Sequence, residues 1–239
     1  MSDAWAIAGG RCASAKGCSK VAVPIVLRAL EDQVARFRSW AEAYPSAERF
    51  GEWECDYDDW WSVYDAFLPF VATTTCQEWS SATTQMLLYI IARDNEFGQL
   101  AHEVAKNPNN LLCLAKRVVD SPEPDARWQI AVELGQMAGP SAQVEEILTQ
   151  FAHDDDEYVR RRALIALADI GSPHVADFVE PAWDTGHEYQ RMAVLHALRA
   201  IGSPQLEEYL ARADADGRQH LVDYAMRIRA GATAARATS

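Results

Sequence analysis

Asp156-Glu157-Tyr158-Val159-Arg160-Arg161-Arg162-Ala163-Leu164-Ile165-Ala166-Leu167-Ala168-Asp169-Ile170-Gly171-Ser172-Pro173 is the stretch whose reading decides the fold. Ala163, Leu164, Leu167 and Ile170 fall at helical spacing, which makes one face of a helix apolar. Gly171 stops that helix where a left-handed cap is needed. Ser172 is placed to cap a second helix, with Pro173 at its first position, where a missing N–H costs nothing. The pattern returns 31 residues later, from Arg191 through Val194, Leu195, Ala197, Leu198, Ile201 and Gly202 to Ser203-Pro204. A weaker copy runs from Trp128 through Ala131, Val132 and Met137 to Gly139-Pro140, with its glycine 32 residues before Gly171. Each unit is a helical hairpin whose second helix is expected over Ser141–Phe151, Pro173–Trp183 and Pro204–Ala213. Such hairpins keep an apolar face that only stacking buries.

An acid followed by Val-Arg, then Ala-Leu-x-Ala-Leu-x-x-Ile-Gly and a Pro-started partner helix, resembles the HEAT repeats in their short, HEAT-like bacterial form. Asp156 through Pro173 carries the match closely and Glu188 through Pro204 nearly as well. The resemblance covers roughly residues 121–230. It implies an all-α, right-handed α-solenoid of stacked helical hairpins, with a degenerate N-terminal helical cap. It implies little about function, because such solenoids serve as scaffolds, inhibitors, lyases and binding platforms.

Residues 21–120 lack the repeat but keep helical periodicity, over Val23–Ala43, Asp56–Ala72, Glu78–Arg93, Phe97–Ala105 and Leu111–Val119. They read as degenerate repeats or a cap. No alternating strand pattern of any length occurs. Residues 1–20 read as a loosely ordered N-terminus, and the Ala-rich residues 231–239 as a disordered tail.

With 239 residues, 49% hydrophobic and 24% charged, the chain is long enough for one large core. Its 35 acids against 22 Lys and Arg give a net charge of −13, which repels polyphosphates and argues against direct nucleic-acid binding. No run approaches the ~20 apolar residues that span a bilayer, so no membrane role is expected and the cytoplasm is the default compartment. Five cysteines at irregular spacing (Cys12, Cys18, Cys55, Cys76 and Cys113) do not suit a disulfide framework and read as free thiols.

The most distinctive stretch lies between Tyr44 and Asp65, where seven acids face Arg49 alone, a local net of −6. Trp53, Tyr57, Trp60, Trp61 and Tyr64 interleave with them. One reading puts Trp60, Tyr64 and Phe67 in the core, with Asp56 and Asp58 favouring a helix start. The other makes Trp53, Asp56, Asp58, Asp59 and Trp61 a partner-binding patch, since Trp and Tyr anchor interfaces and acids select a basic partner. Asp154, Asp155, Asp156 and Glu157 form a second acidic run, either a solvated helix start or part of the same groove. Asp94 or Asn95 is expected to cap a helix. Arg160, Arg161, Arg162 and Arg191 are expected to form a ladder of inter-repeat salt bridges.

No residues propose catalysis, a metal or a cofactor. One HEAT-repeat enzyme, deoxyhypusine hydroxylase, holds two irons with four His-Glu dyads. Here only His102-Glu103 and His187-Glu188 occur, and the second His of a zinc-protease helix is absent. No phosphate loop, dinucleotide fingerprint or nucleophile elbow is present. Small, acidic and without catalytic residues, the chain is similar in profile to bacterial immunity proteins of contact-dependent growth inhibition systems. That resemblance implies stoichiometric occlusion of a basic, nuclease-type toxin. A general HEAT adaptor for an endogenous complex is the alternative, and a HEAT-like enzyme or lyase a remote one.

Overall fold

A computed structural model describes residues 19–137, 139 and 141–237. Among them are twelve α-helices and no strand. The N-terminal region holds α1 (Ser19–Ala43), α2 (Trp60–Thr73), α3 (Ser81–Arg93), α4 (Gln99–Ala105) and α5 (Pro108–Val118). The repeats follow as hairpins: α6 (Pro124–Gly135) with α7 (Ala142–Phe151), α8 (Glu157–Asp169) with α9 (Val175–Asp184), and α10 (Glu188–Ala200) with α11 (Leu206–Asp216). The final helix, α12 (Gln219–Ala237), stacks on α10. It continues as far as Ala237, through most of the segment expected to be a disordered tail. The expected loose N-terminus lies, up to residue 18, outside the described residues, as do Cys12 and Cys18.

The chain is thus an α-solenoid of stacked helical hairpins, and each start and stop has a local cause. Asp156 caps α8, accepting from the amides of Tyr158 at 2.8 Å and Val159 at 3.1 Å. Gly171 ends that hairpin arm at φ +70°, and the Ser172 amide returns to the Leu167 carbonyl at 2.9 Å. The Ser-Pro pairs act differently from the expectation. Ser172 Oγ accepts the His174 amide at 3.1 Å and Ser203 Oγ the Gln205 amide at 3.2 Å, two residues on. Each Ser-Pro closes a tight turn, and α9 and α11 begin two residues beyond the prolines.

Helices α6, α8, α10 and α12 pack side by side along their lengths, whereas α7, α9 and α11 hardly meet one another. The first set is therefore the inner layer of the curve and the second the splayed outer layer. The inner layer packs tightly at Gly135 on α6, where an added Cβ would sit 2.8 Å from the Cβ of Ala166 on α8. Leu134, Leu164, Leu167, Val194, Leu195 and Leu198 fill the space between the layers.

The N-terminal region closes one end of this stack. Its α1 and α2 pair around an aromatic cluster, with Phe37 edge-on to Tyr57 at 5.0 Å and tilted against Trp60 at 5.1 Å. Two cysteines expected to be free are bridged: Cys76 and Cys113 form a disulfide with Cα atoms 6.0 Å apart. Asn110, buried on α5, explains how they meet. Its Oδ1 accepts the Cys76 amide at 2.8 Å and its Nδ2 donates to the Thr74 carbonyl at 3.2 Å. That pins the turn over the helix face from which Cys113 projects one turn later.

Candidate protein-binding surfaces

The acidic-aromatic stretch divides into a structural part and an exposed part. Trp53 stacks on Trp40 at 5.5 Å with planes 12° apart and touches Tyr44 at 5.0 Å, so it belongs to the packing of α1. Asp56 accepts from the Tyr44 hydroxyl at 2.5 Å, and this bond raises the Tyr44 phenol to about 12. Asp59 precedes α2 and accepts from Ser62 Oγ at 2.6 Å. Trp53 is half-buried by its packing, whereas Asp56 stays exposed while it accepts from Tyr44. Outward on this edge is Trp61, 78% exposed, with exposed Asp56 and Asp58 before the helix and Asp65 one turn further along it.

Beneath this edge, Glu54 is buried, with Arg93 at 4.0 Å and its Oε2 without a partner, and burial raises its carboxyl above the ordinary value. Arg93 also holds Glu123 at 2.8 Å. Asp94 is the C-cap residue of α3, while the N-cap position of α4 falls to Gly98; the Asp94 carboxylate nonetheless accepts the Leu100 amide at 2.7 Å in the first turn of α4 and the Tyr64 hydroxyl at 2.6 Å. The exposed Cys55 thiol is pushed up to about 12 by desolvation and by its bond to Glu96.

The second acidic run is mostly committed to the repeat turn. Asp154 forms a two-point pair with Arg127, Asp156 caps α8, and Glu157 stands 3.8 Å from Arg161 on its own helix. Only Asp155 is exposed. The expected arginine ladder holds at Arg191, which bonds Asp216 of the next turn, and Arg127 adds a rung. It fails at Arg160, which donates to the Asp154 and Asp155 carbonyls at 2.7 and 2.8 Å.

Arg161 and Arg162 instead lie among aromatic rings on the inner face. Arg161 covers Tyr158 at 4.3 Å and Tyr189 at 5.1 Å, while Arg162 stands over Trp128 at 5.5 Å and Tyr158 at 5.7 Å. Trp128 and Tyr158 touch at 5.0 Å, and Tyr189 is 53% exposed. Ile165, Met192 and Tyr224 continue the strip. Trp, Tyr and Arg on a rigid face are the residue types that dominate protein interfaces. Sequence reasoning missed this surface, although Glu-Tyr recurs at 157–158 and 188–189 in register with the repeat.

The histidines are spread out. His102 meets Glu133 at 3.3 Å, His196 meets Asp169 at 3.0 Å, and His187 precedes α10. Among the described residues no three His, Cys, Asp or Glu side chains group as metal ligands, and no helix is long and apolar enough to cross a membrane.

The family model for HEAT repeats matches residues 111–199 and 145–227, the span from α5 to α12. Neither a curated protein nor a solved structure matches the chain.

Proposed function

We propose that this HEAT-repeat solenoid is a non-enzymatic protein-binding scaffold whose principal partner is basic. The observation that carries the reading is Trp61, almost fully outside the core between exposed Asp58 and Asp65. An exposed aromatic anchor flanked in the chain by exposed carboxylates fits a cationic protein surface, and a chain of net charge −13 draws such a partner in from a distance. In its sharpest form the partner is a nuclease-type toxin, and the chain is an immunity protein that occludes the toxin's phosphate-binding surface in equal stoichiometry.

A second reading is an adaptor. The inner strip around Arg161 and Arg162 has the opposite charge preference from the Trp61 edge, so one chain offers two surfaces suited to two different partners.

Affinity capture from host lysate at low and moderate salt, with the Trp61→Ala variant alongside, separates these readings. A single basic protein retained in equal amount, lost with Trp61→Ala and losing its nuclease activity on titration, supports the immunity form. Several partners, retained by both chains, support the adaptor. No specific protein at either salt overturns the scaffold reading.

A further inference from the structure

Because the outer helices splay, a cleft of about 680 Å³ opens between α7 and α9, floored by Leu164 of α8 and reached by Gln190 of α10. Its chemistry is uneven. Phe178, Pro181 and Ala182 give one apolar wall, and Asp155 and Asp177 stand at the rim. Asp155 is exposed, and the Asp177 side chain is 72% accessible, touched by His174 Nδ1 at 3.2 Å. Arg160 also lines the cleft, and its Nη1 donates to the Asp154 and Asp155 carbonyls.

Gln190 supplies an independent sign. It is 2% exposed, lines the cleft, and its Oε1 has no hydrogen-bond partner. A buried amide oxygen left unpaired costs about 1–3 kcal/mol, so it marks a place where an outside donor is missing. Pro181 adds to the surplus of acceptors, since it has no N–H for the Asp177 carbonyl four residues back. An anion meets the carboxylates of Asp155 and Asp177 here. A plain hydrocarbon leaves the acceptors unmet.

We propose that this cleft binds a nitrogen cation with N–H donors, an ammonium or guanidinium on an aliphatic stem. The head group is held by Asp155, Asp177 and the Gln190 amide oxygen, and the stem lies along Phe178 and Leu164. The cation is either a free small amine or an Arg or Lys side chain of a partner protein. The assignment does not depend on the Trp61 edge or on a nuclease partner.

Calorimetric titration of the full chain with agmatine, and separately with an end-capped Gly-Gly-Arg-Gly-Gly peptide, tests it at low and moderate salt. Saturable one-to-one binding is expected for at least one probe. It weakens by about tenfold or more in Gln190→Leu and in Asp155→Asn with Asp177→Asn, the effect of losing a hydrogen bond to a charged group. Glu207→Gln with Glu208→Gln, exposed on α11 and outside the cleft, leaves it unchanged. Binding of agmatine identifies a free amine, and binding of the peptide alone identifies a partner's side chain. The exposed aspartate pair decides the matter if Gln190→Leu does not fold. Absence of saturable binding by both probes, or equal weakening by the remote pair, overturns the site.

Discussion

Arg127 and Asp154 lock consecutive hairpins through a two-point pair, Nε to Oδ2 at 2.7 Å and Nη2 to Oδ1 at 3.0 Å. Their side chains are only 12% and 10% exposed, and Arg127 also donates to the Ser121 carbonyl. The pair therefore joins the turn before α6 to the turn before α8, two places far apart in the chain.

Arg127→Ala leaves a buried carboxylate without its partner. The expected loss is roughly 3 kcal/mol in urea unfolding, because the exposed alternative for Asp154 is no longer available in the folded state. A change under about 0.5 kcal/mol, the size of an exposed pair, would show that water already screens the bridge.

Gly135→Ala reverses the sign that helix propensity predicts. Alanine favours a helix by about 1 kcal/mol over glycine. The new Cβ, however, meets Ala166 Cβ at 2.8 Å and its Cα at 2.9 Å, and backbone yields little. Net destabilisation of about 1–2 kcal/mol is expected from such overpacking, read as a lowered Tm. A raised Tm would mean that α6 and α8 are further apart than described.

The Cys76–Cys113 bridge closes a segment of sequence separation 37, between the turn before α3 and α5. Loop-closure entropy for that length is about 4 kcal/mol. Cys113→Ser, and the parent chain in dithiothreitol, are both expected to unfold at lower urea. Identical midpoints with and without reductant would show the thiols to be unpaired in solution.

Two buried carboxylates set opposite pH dependences. Burial raises Glu54 above its ordinary value of 4.5, so between that value and its folded value the folded chain holds the proton more tightly. Stability therefore falls as pH rises through that interval, and Glu54→Gln gains on the parent there. Asp216 is held below its ordinary 3.8 by hydrogen bonds from Arg218 and Arg191. Its contribution is present above 3.8 and fades as pH drops below, so Asp216→Asn flattens the acid limb. Urea midpoints across the acid range check both, and parallel curves for all three chains would contradict them.

The two surfaces are separable by salt. Asp58→Asn with Asp65→Asn is expected to slow capture of a basic partner at low salt, with little effect at high salt. Tyr189→Ala, 53% exposed on the inner strip, removes apolar contact and is expected to act through dissociation at either salt. Stopped-flow association and dissociation rates distinguish the two, and an unchanged association rate for the aspartate pair removes the Trp61 edge from the binding surface.

Much of the fold was legible because its signals are local. Spacing of Ala163, Leu164 and Leu167, the Asp156 cap and the left-handed Gly171 each act within one turn of chain, so neighbouring residues determine them. Even here the Ser-Pro turns deviated, since Ser172 satisfied an amide two residues on and delayed α9. The site was less legible. Whether Trp53 faces solvent depends on Trp40 and Tyr44, and whether Asp154 is free depends on Arg127, 27 residues earlier.

By itself the sequence determined that this chain is a helical repeat with a strong negative charge, because periodicity, caps and net charge are properties of adjacent residues and of totals. Stacking decided the rest. It packed Trp53 against Trp40, paired Asp154 with Arg127, joined Cys76 to Cys113, and left Trp61 outside. It also lined up Trp128, Tyr158 and Tyr189 with Arg161 and Arg162 on one face. Those outcomes depend on which helix faces meet across about thirty residues of chain, and that register is fixed only when the apolar layers between hairpins close.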